Sequence, residues 1–286
     1  MKPHPHHHTS VVQRRRSLSR RAKQMVRRVL PFVAALFLAS PVAGPLLKSA
    51  ARPSVPPATV QQVVPAPVAT FDAAARQLYE RLGAEQQGLR FEVFQKALTG
   101  YLNLRQAGKL DADQARLAVV DFDLPSTTKR LWVFDLETGQ TLFHTLVPHG
   151  HNSGENMATH FSNTDESNMS SLGFYVTGTQ YEGKHGHSLR LTGLDEGFNT
   201  NAATRSVVMH GADYVSEDFI RQNGRLGRSL GCPALPLESY SQIISSLRNG
   251  SCLFINRSDA GYTSKYLNSG RAQLALLSSG LTAAQG

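Results

Sequence analysis

Two residue types in this chain are placed to do covalent chemistry. Cys232 stands in Arg225-Leu226-Gly227-Arg228-Ser229-Leu230-Gly231-Cys232-Pro233, and His210 ends the apolar run Ser206-Val207-Val208-Met209 with Gly211 after it. A cysteine attacks as its thiolate, and a neighbouring imidazole takes the proton and stays beside it as a cation. Two glycines, two guanidiniums and a hydroxyl surround the thiol, an open electropositive setting unlike an apolar core slot. The chemistry implied is nucleophilic catalysis through a covalent intermediate. The only other cysteine, Cys252, lies in Ser251-Cys252-Leu253-Phe254-Ile255 and reads as a buried core thiol. A Cys232–Cys252 disulfide is the competing reading, and it would disable the nucleophile.

The remaining histidines do not make a second centre. His149, His151, His160, His185 and His187 have spacings that match no strong zinc pattern, and no acidic partner recurs beside them. They read as pocket lining or ordinary loop residues, and neither a metal nor any other cofactor is expected.

The elements that must bring Cys232 and His210 together follow from periodicity. Leu117–Phe122 and Arg130–Asp135 read as strands, and Glu137-Thr138-Gly139-Gln140 turns the second into Thr141–Val147 as a hairpin. Further strands are expected at Gly173–Thr177, Ser188–Leu191, Ser206–Met209 and Cys252–Asn256. The long loop His149–Ser171 reads as functional, because compact domains rarely carry slack of that length. Short helices are expected at Ser216–Gln222 and Pro236–Leu247, and two helices with one apolar face each at Phe71–Leu82 and Phe91–Leu104. The fold class is therefore mainly β, a mixed-sheet sandwich or barrel with short helices and an N-terminal helical lead-in.

Charge and composition divide the chain. Its formal net charge of +9 suggests nucleic acid, but nine of the 30 basic residues fall in the first 28 positions, where no acid occurs. The remainder is balanced, so no nucleic-acid partner is expected. Behind those bases, Val29–Ala39 is an apolar run too short to span a bilayer comfortably. Residues 1–51 thus read as a signal peptide, with small residues for cleavage after Ala43 or Ala51, or as an uncleaved N-terminal membrane anchor. Residues 52–70 hold five prolines and form a linker. Residues 71–109 are the helical lead-in, 110–260 the catalytic domain and 261–286 a C-terminal tail.

The motifs Gly183-Lys184-His185-Gly186-His187-Ser188, Val208-Met209-His210-Gly211-Ala212-Asp213-Tyr214 and Gly227-Arg228-Ser229-Leu230-Gly231-Cys232-Pro233 resemble the murein L,D-transpeptidase catalytic domain, with its β-rich YkuD-like fold. The resemblance covers roughly residues 115–260. It implies an exported enzyme of the periplasm or cell envelope acting on peptidoglycan stem peptides. Cys232 is then the nucleophile that forms a thioester with the diaminopimelate carbonyl, and an amine takes the acyl group. His210 is its base, oriented by the Gly211 carbonyl. The Gly231 and Cys232 backbone N–H groups face the oxyanion, one well-aimed donor being worth on the order of 3 kcal/mol of barrier. Ser229 completes the catalytic set.

Two positions depart from the family pattern. Pro233-Ala234 follow the cysteine where an arginine or asparagine is usual, and Leu230 replaces a frequent histidine. Arg228 or Arg225 is expected to supply the missing guanidinium, whose planar fork suits a carboxylate. His187 and Tyr175 are expected as further substrate contacts. With water as acceptor the same apparatus is an L,D-carboxypeptidase or endopeptidase; with an idle cysteine it is a wall-binding module.

Overall fold

The computed structural model describes residues 70–258 and 261–279. The expectations for the leader and for the linker up to residue 69 lie outside the described residues. In chain order the elements are α1 (Phe71–Arg81), α2 (Phe91–Gln106), β1 (Arg116–Asp121), β2 (Leu131–Asp135), β3 (Gln140–Thr145), a single 3-10 turn (His151–Ser153), β4 (Gly173–Gly183), β5 (Gly186–Gly193), β6 (Val208–Gly211), α3 (Glu217–Asn223), β7 (Ala234–Leu235), α4 (Tyr240–Ser246), β8 (Cys252–Asn256) and α5 (Ser269–Ser279).

The eight strands form one mixed sheet in the order β3-β2-β1-β8-β4-β5-β6-β7. Only β1·β8 and β6·β7 run parallel. The central strands are buried on both faces, which is why they read as continuous apolar runs. Alternation still sorts their side chains. Leu117, Val119, Trp132, Phe134, Phe174, Cys252 and Phe254 point to one face and pack against α1, α2 and α5. Ala118, Val120, Leu131, Val133, Tyr175, Leu253 and Ile255 point to the other and pack with Leu189, Ile243 and Ile244.

The lead-in helices are thus one wall of the core. Thr70 caps α1 by accepting a hydrogen bond from the Ala73 N–H at 3.3 Å. Gly100 lies inside α2, where glycine costs about 1 kcal/mol relative to alanine. Its reason is contact with the sheet, since a Cβ there would stand 1.9 Å from the Phe174 ring. The segment expected as a C-terminal tail contains α5, whose Ala272, Ala275 and Leu276 are buried in the same cluster. Its apolar face is built largely from alanine, so its contrast in sequence is weak.

A satellite cluster of Leu146, Ala212, Val215, Leu226 and Ala234 fills the space by β7 and the segment before Cys232. It anchors the end of the sheet where His210 and Cys232 lie.

Candidate active site

Strand pairing brings the two reactive residues to one place. β6 pairs in parallel with β7, His210 opposite Ala234 and Gly211 opposite Leu235, so Cys232 enters the sheet edge just before its partner register. On its other side β6 pairs with β5, His210 opposite Ser188. Gly211 is required beside the histidine because a Cβ there would lie 2.7 Å from the Tyr240 ring of α4.

The nucleophile loop is clamped to the long loop after β3. Ser229 N–H donates to the His149 carbonyl at 3.1 Å, and His151 N–H donates to the Ser229 carbonyl at 2.7 Å. Arg130, fully buried, holds that long loop from below: its guanidinium donates to the Val147 and Leu124 carbonyls and to His149 Nδ1 at 2.9 Å. Because His149 Nδ1 accepts from a guanidinium, its proton sits on Nε2, which donates to the Gly154 carbonyl. Burial and the nearby Arg130 charge pull the His149 imidazole down to about 4, so it stays neutral. Burial also pulls Arg130 down to about 9.

Both cysteines are free thiols, so the disulfide reading is excluded. The Cys232 sulfur accepts from the Val208 N–H at 3.4 Å and donates to the Ser206 carbonyl at 3.8 Å. Ser206 sits at φ 56°, a conformation rarely adopted by a side-chain-bearing residue, and its carbonyl is aimed at the thiol from there. His210 Nδ1 lies 2.9 Å from the Gly211 carbonyl. A carbonyl only accepts, so Nδ1 carries the proton and Nε2 keeps its lone pair. That tautomer leaves a ring nitrogen able to accept a proton.

Burial disfavours the charged form of both groups. Burial pushes the Cys232 thiol up, offset only in part by the Val208 N–H and by the Arg205 and Lys184 charges. Burial lowers His210, the Gly211 bond opposes this, and the His185 and Lys184 charges lower it further. Both partners are therefore neutral near pH 7, and among the described residues no hydrogen bond joins the thiol to the ring. The site rests as thiol and imidazole, not as a thiolate-imidazolium pair. It suits proton removal during attack.

The expected supporting residues divide. Gly231 has φ +117°, and a Cβ there would lie 2.6 Å from the Met169 carbonyl, so only glycine fits. Its N–H, however, donates to Ser229 Oγ at 3.0 Å, while that hydroxyl donates to the Cys232 carbonyl at 2.7 Å. Ser229 thus shapes the nucleophile turn and takes up the Gly231 donor. The Cys232 N–H has no hydrogen-bond partner among the described residues. Arg228 bonds the His151 and Gly154 carbonyls, and with Arg225 it pairs with Glu155. Both guanidiniums help to brace the long loop, Arg225 through Nε and Nη1 and Arg228 through Nη1.

Tyr175 is fully buried and donates to Ser171, which removes it from any contact with substrate. It points to the core face because β4 alternates, and its neighbours in sequence point the other way. His187 bonds Gln180 Oε1 at 3.0 Å and Ser241 Oγ at 3.3 Å, fastening the β4–β5 hairpin to α4. The histidine that meets the site is His185, whose ring stacks on His210 with centroids 4.5 Å apart and planes 25° apart.

Three groups were not singled out in sequence. Arg205 donates to the Met169 and Ser162 carbonyls and to the Ser167 and Ser171 hydroxyls, which seats the strand of loop under Gly231. Lys184 places its charge near both reactive residues. Tyr214, close enough to Cys232 to feel its charge, is pushed up to about 12 by burial and by that thiol. Nothing local marks Arg205 or Tyr214; their roles come from tertiary contact. The pairing of Lys184-His185 with the strand that precedes His-Gly was the only legible signal. Among the described residues, no group of three His, Cys, Asp or Glu side chains is placed to hold a metal ion.

A family model for the L,D-transpeptidase catalytic domain matches residues 85–256. Among curated proteins no match is found. Similar solved structures include an L,D-transpeptidase from Mycobacterium smegmatis, 14% identical over 50% of this chain and 59% of that one, with a TM-score of 0.33. Another is an L,D-transpeptidase solved in complex with imipenem, 13% identical over 50% and 59% of the two chains, with a TM-score of 0.32. A third is an L,D-transpeptidase from Stackebrandtia nassauensis, 17% identical over 67% and 80%, with a TM-score of 0.30. The chain spans less than two thirds of the length of the first two.

Proposed function

The chain belongs to the L,D-transpeptidase catalytic-domain family, and from that premise we propose that it is a peptidoglycan L,D-transpeptidase working through a thioester on Cys232. As the sulfur attacks the diaminopimelate carbonyl of a stem peptide, His210 Nε2 takes the thiol proton. The Cys232 N–H donates to the oxyanion, and His210 then gives its proton to the departing amine of the terminal D-residue. An acceptor amine, deprotonated by the same ring, attacks the thioester and restores the thiol. No cofactor enters this cycle.

The observation that carries the reading is the tautomer of His210. Its Nδ1 proton is tied to the Gly211 carbonyl, which leaves Nε2 as the only lone pair on the ring, at the strand end where the chain returns with Cys232. The basic, then apolar, first 51 residues fit export to the cell envelope, where this substrate is found; retention as an anchor would come from the same segment. Among the described residues no helix is long and apolar enough to cross a membrane.

Incubation of the purified protein with muropeptides tests the reading. Cross-linked dimers are the expected product. Trimmed monomers alone would assign the hydrolase, and unchanged muropeptides would contradict both in favour of an idle cysteine.

A further inference from the structure

We propose that His185 is a positioning residue for the base, holding the His210 ring by face-to-face contact so that its free nitrogen serves the thiol. This rests on the functional reading above. The Gly211 hydrogen bond acts within the plane of the His210 ring. It does little to stop the ring from tilting out of that plane. The His185 ring, 4.5 Å away and within 25° of parallel, acts along the missing direction.

The hairpin is built to deliver that ring. Gly183 pairs with Gly186, so Lys184 and His185 form its tip, and Gly186 takes φ +72°. His187 fastens the hairpin to α4 through Ser241, and α4 also lays Tyr240 over Gly211. His185 itself is exposed and makes no side-chain hydrogen bond among the described residues. Its stack on His210 is the contact that explains its place, whereas His210 is only 4% exposed beneath it.

The charged and titratable groups around His210 come from every side. They are His185 and Lys184 from the hairpin, Cys232 from the nucleophile loop and Tyr240 from α4, with Arg205 and Tyr214 beyond the sulfur. Removing the His185 ring uncovers His210 and removes an opposing charge, so the acid limb of the rate profile should move to higher pH.

Acylation of Cys232 by imipenem, followed by intact mass over a range of pH, should be measured for the wild type, His185→Ala and His185→Phe. Iodoacetamide alkylation of the same proteins runs in parallel. The expected result is a roughly tenfold to hundredfold slower acylation in His185→Ala, the scale of a misplaced catalytic group, with the acid limb displaced upward. His185→Phe keeps the stack and should recover most of the rate. An unchanged rate and limb in His185→Ala would overturn the proposal, as would a loss that phenylalanine does not repair. A wild type that alkylates normally but takes no imipenem would contradict the functional reading instead; the alkylation profiles of the variants would still decide on His185.

Discussion

The two cysteines are the same group in opposite surroundings. Cys252 sits mid-sheet on β8, 0% exposed, between Leu117 and Val176 in register and against the helical wall. Burial pushes its thiol far above the ordinary range, and among the described residues it has no side-chain hydrogen bond. Cys232 sits on a loop at the sheet edge, half-buried, with a backbone donor, a backbone acceptor and a histidine whose proton is fixed away from its free nitrogen. Burial raises this thiol as well. What separates the two is therefore not ionisation at rest but the presence of a base and a donor to act when substrate arrives.

That contrast is most sharply broken at its reactive end. Cys232→Ala should lower imipenem acylation and muropeptide turnover by more than about 10^4-fold, with urea unfolding unchanged. Residual turnover near wild type would place the nucleophile elsewhere. His210→Ala should cost roughly 10^2- to 10^4-fold in the acylation rate; a loss confined to substrate affinity would remove its role as base.

The scaffold between the two regions comes next. Arg130→Met leaves two carbonyls and His149 without their buried donor and should cost about 3 kcal/mol by urea unfolding, with acylation of the folded fraction reduced because the clamp on Ser229 loosens. Full stability would mean that water or a shift of the loop replaces the guanidinium. At the inert end, Cys252→Ser buries a hydroxyl in an apolar slot and should cost about 1–3 kcal/mol of stability while acylation per folded molecule stays at the wild-type rate.

A pH profile sharpens the comparison without mutation. The Cys232 thiol is raised, so its neutral form persists through neutral pH and the thiolate appears only above the ordinary thiol range. Iodoacetamide alkylation of Cys232 should therefore climb on the alkaline side. A plateau extending into acid would instead reveal a preformed ion pair.

Much of this was legible in the chain and some was not. Alternation and β-branching marked β1, β2, β8 and the starts of β4 and β5, because packing on a pleated surface imposes those patterns directly. β7, with two residues, is too short to carry a period, although its pairing with β6 is what joins His210 to Cys232. Cys232, His210 and the Gly211 carbonyl could be singled out because each lies in a local motif. The structural settings of Arg225, Arg228 and Tyr175 were hidden for a different reason. A sequence shows that a guanidinium is near the site but not that Glu155, distant in the chain, already holds it. The same long-range dependence hid the contacts of Arg205 and the stack of His185 on His210.

The most direct measurement is peptide mapping of the wild-type protein after exposure to imipenem. One adduct on the peptide containing Cys232, with the Cys252 peptide unmodified, is the expected result. An unmodified Cys232, or label on Cys252, would contradict the assignment of the reactive thiol.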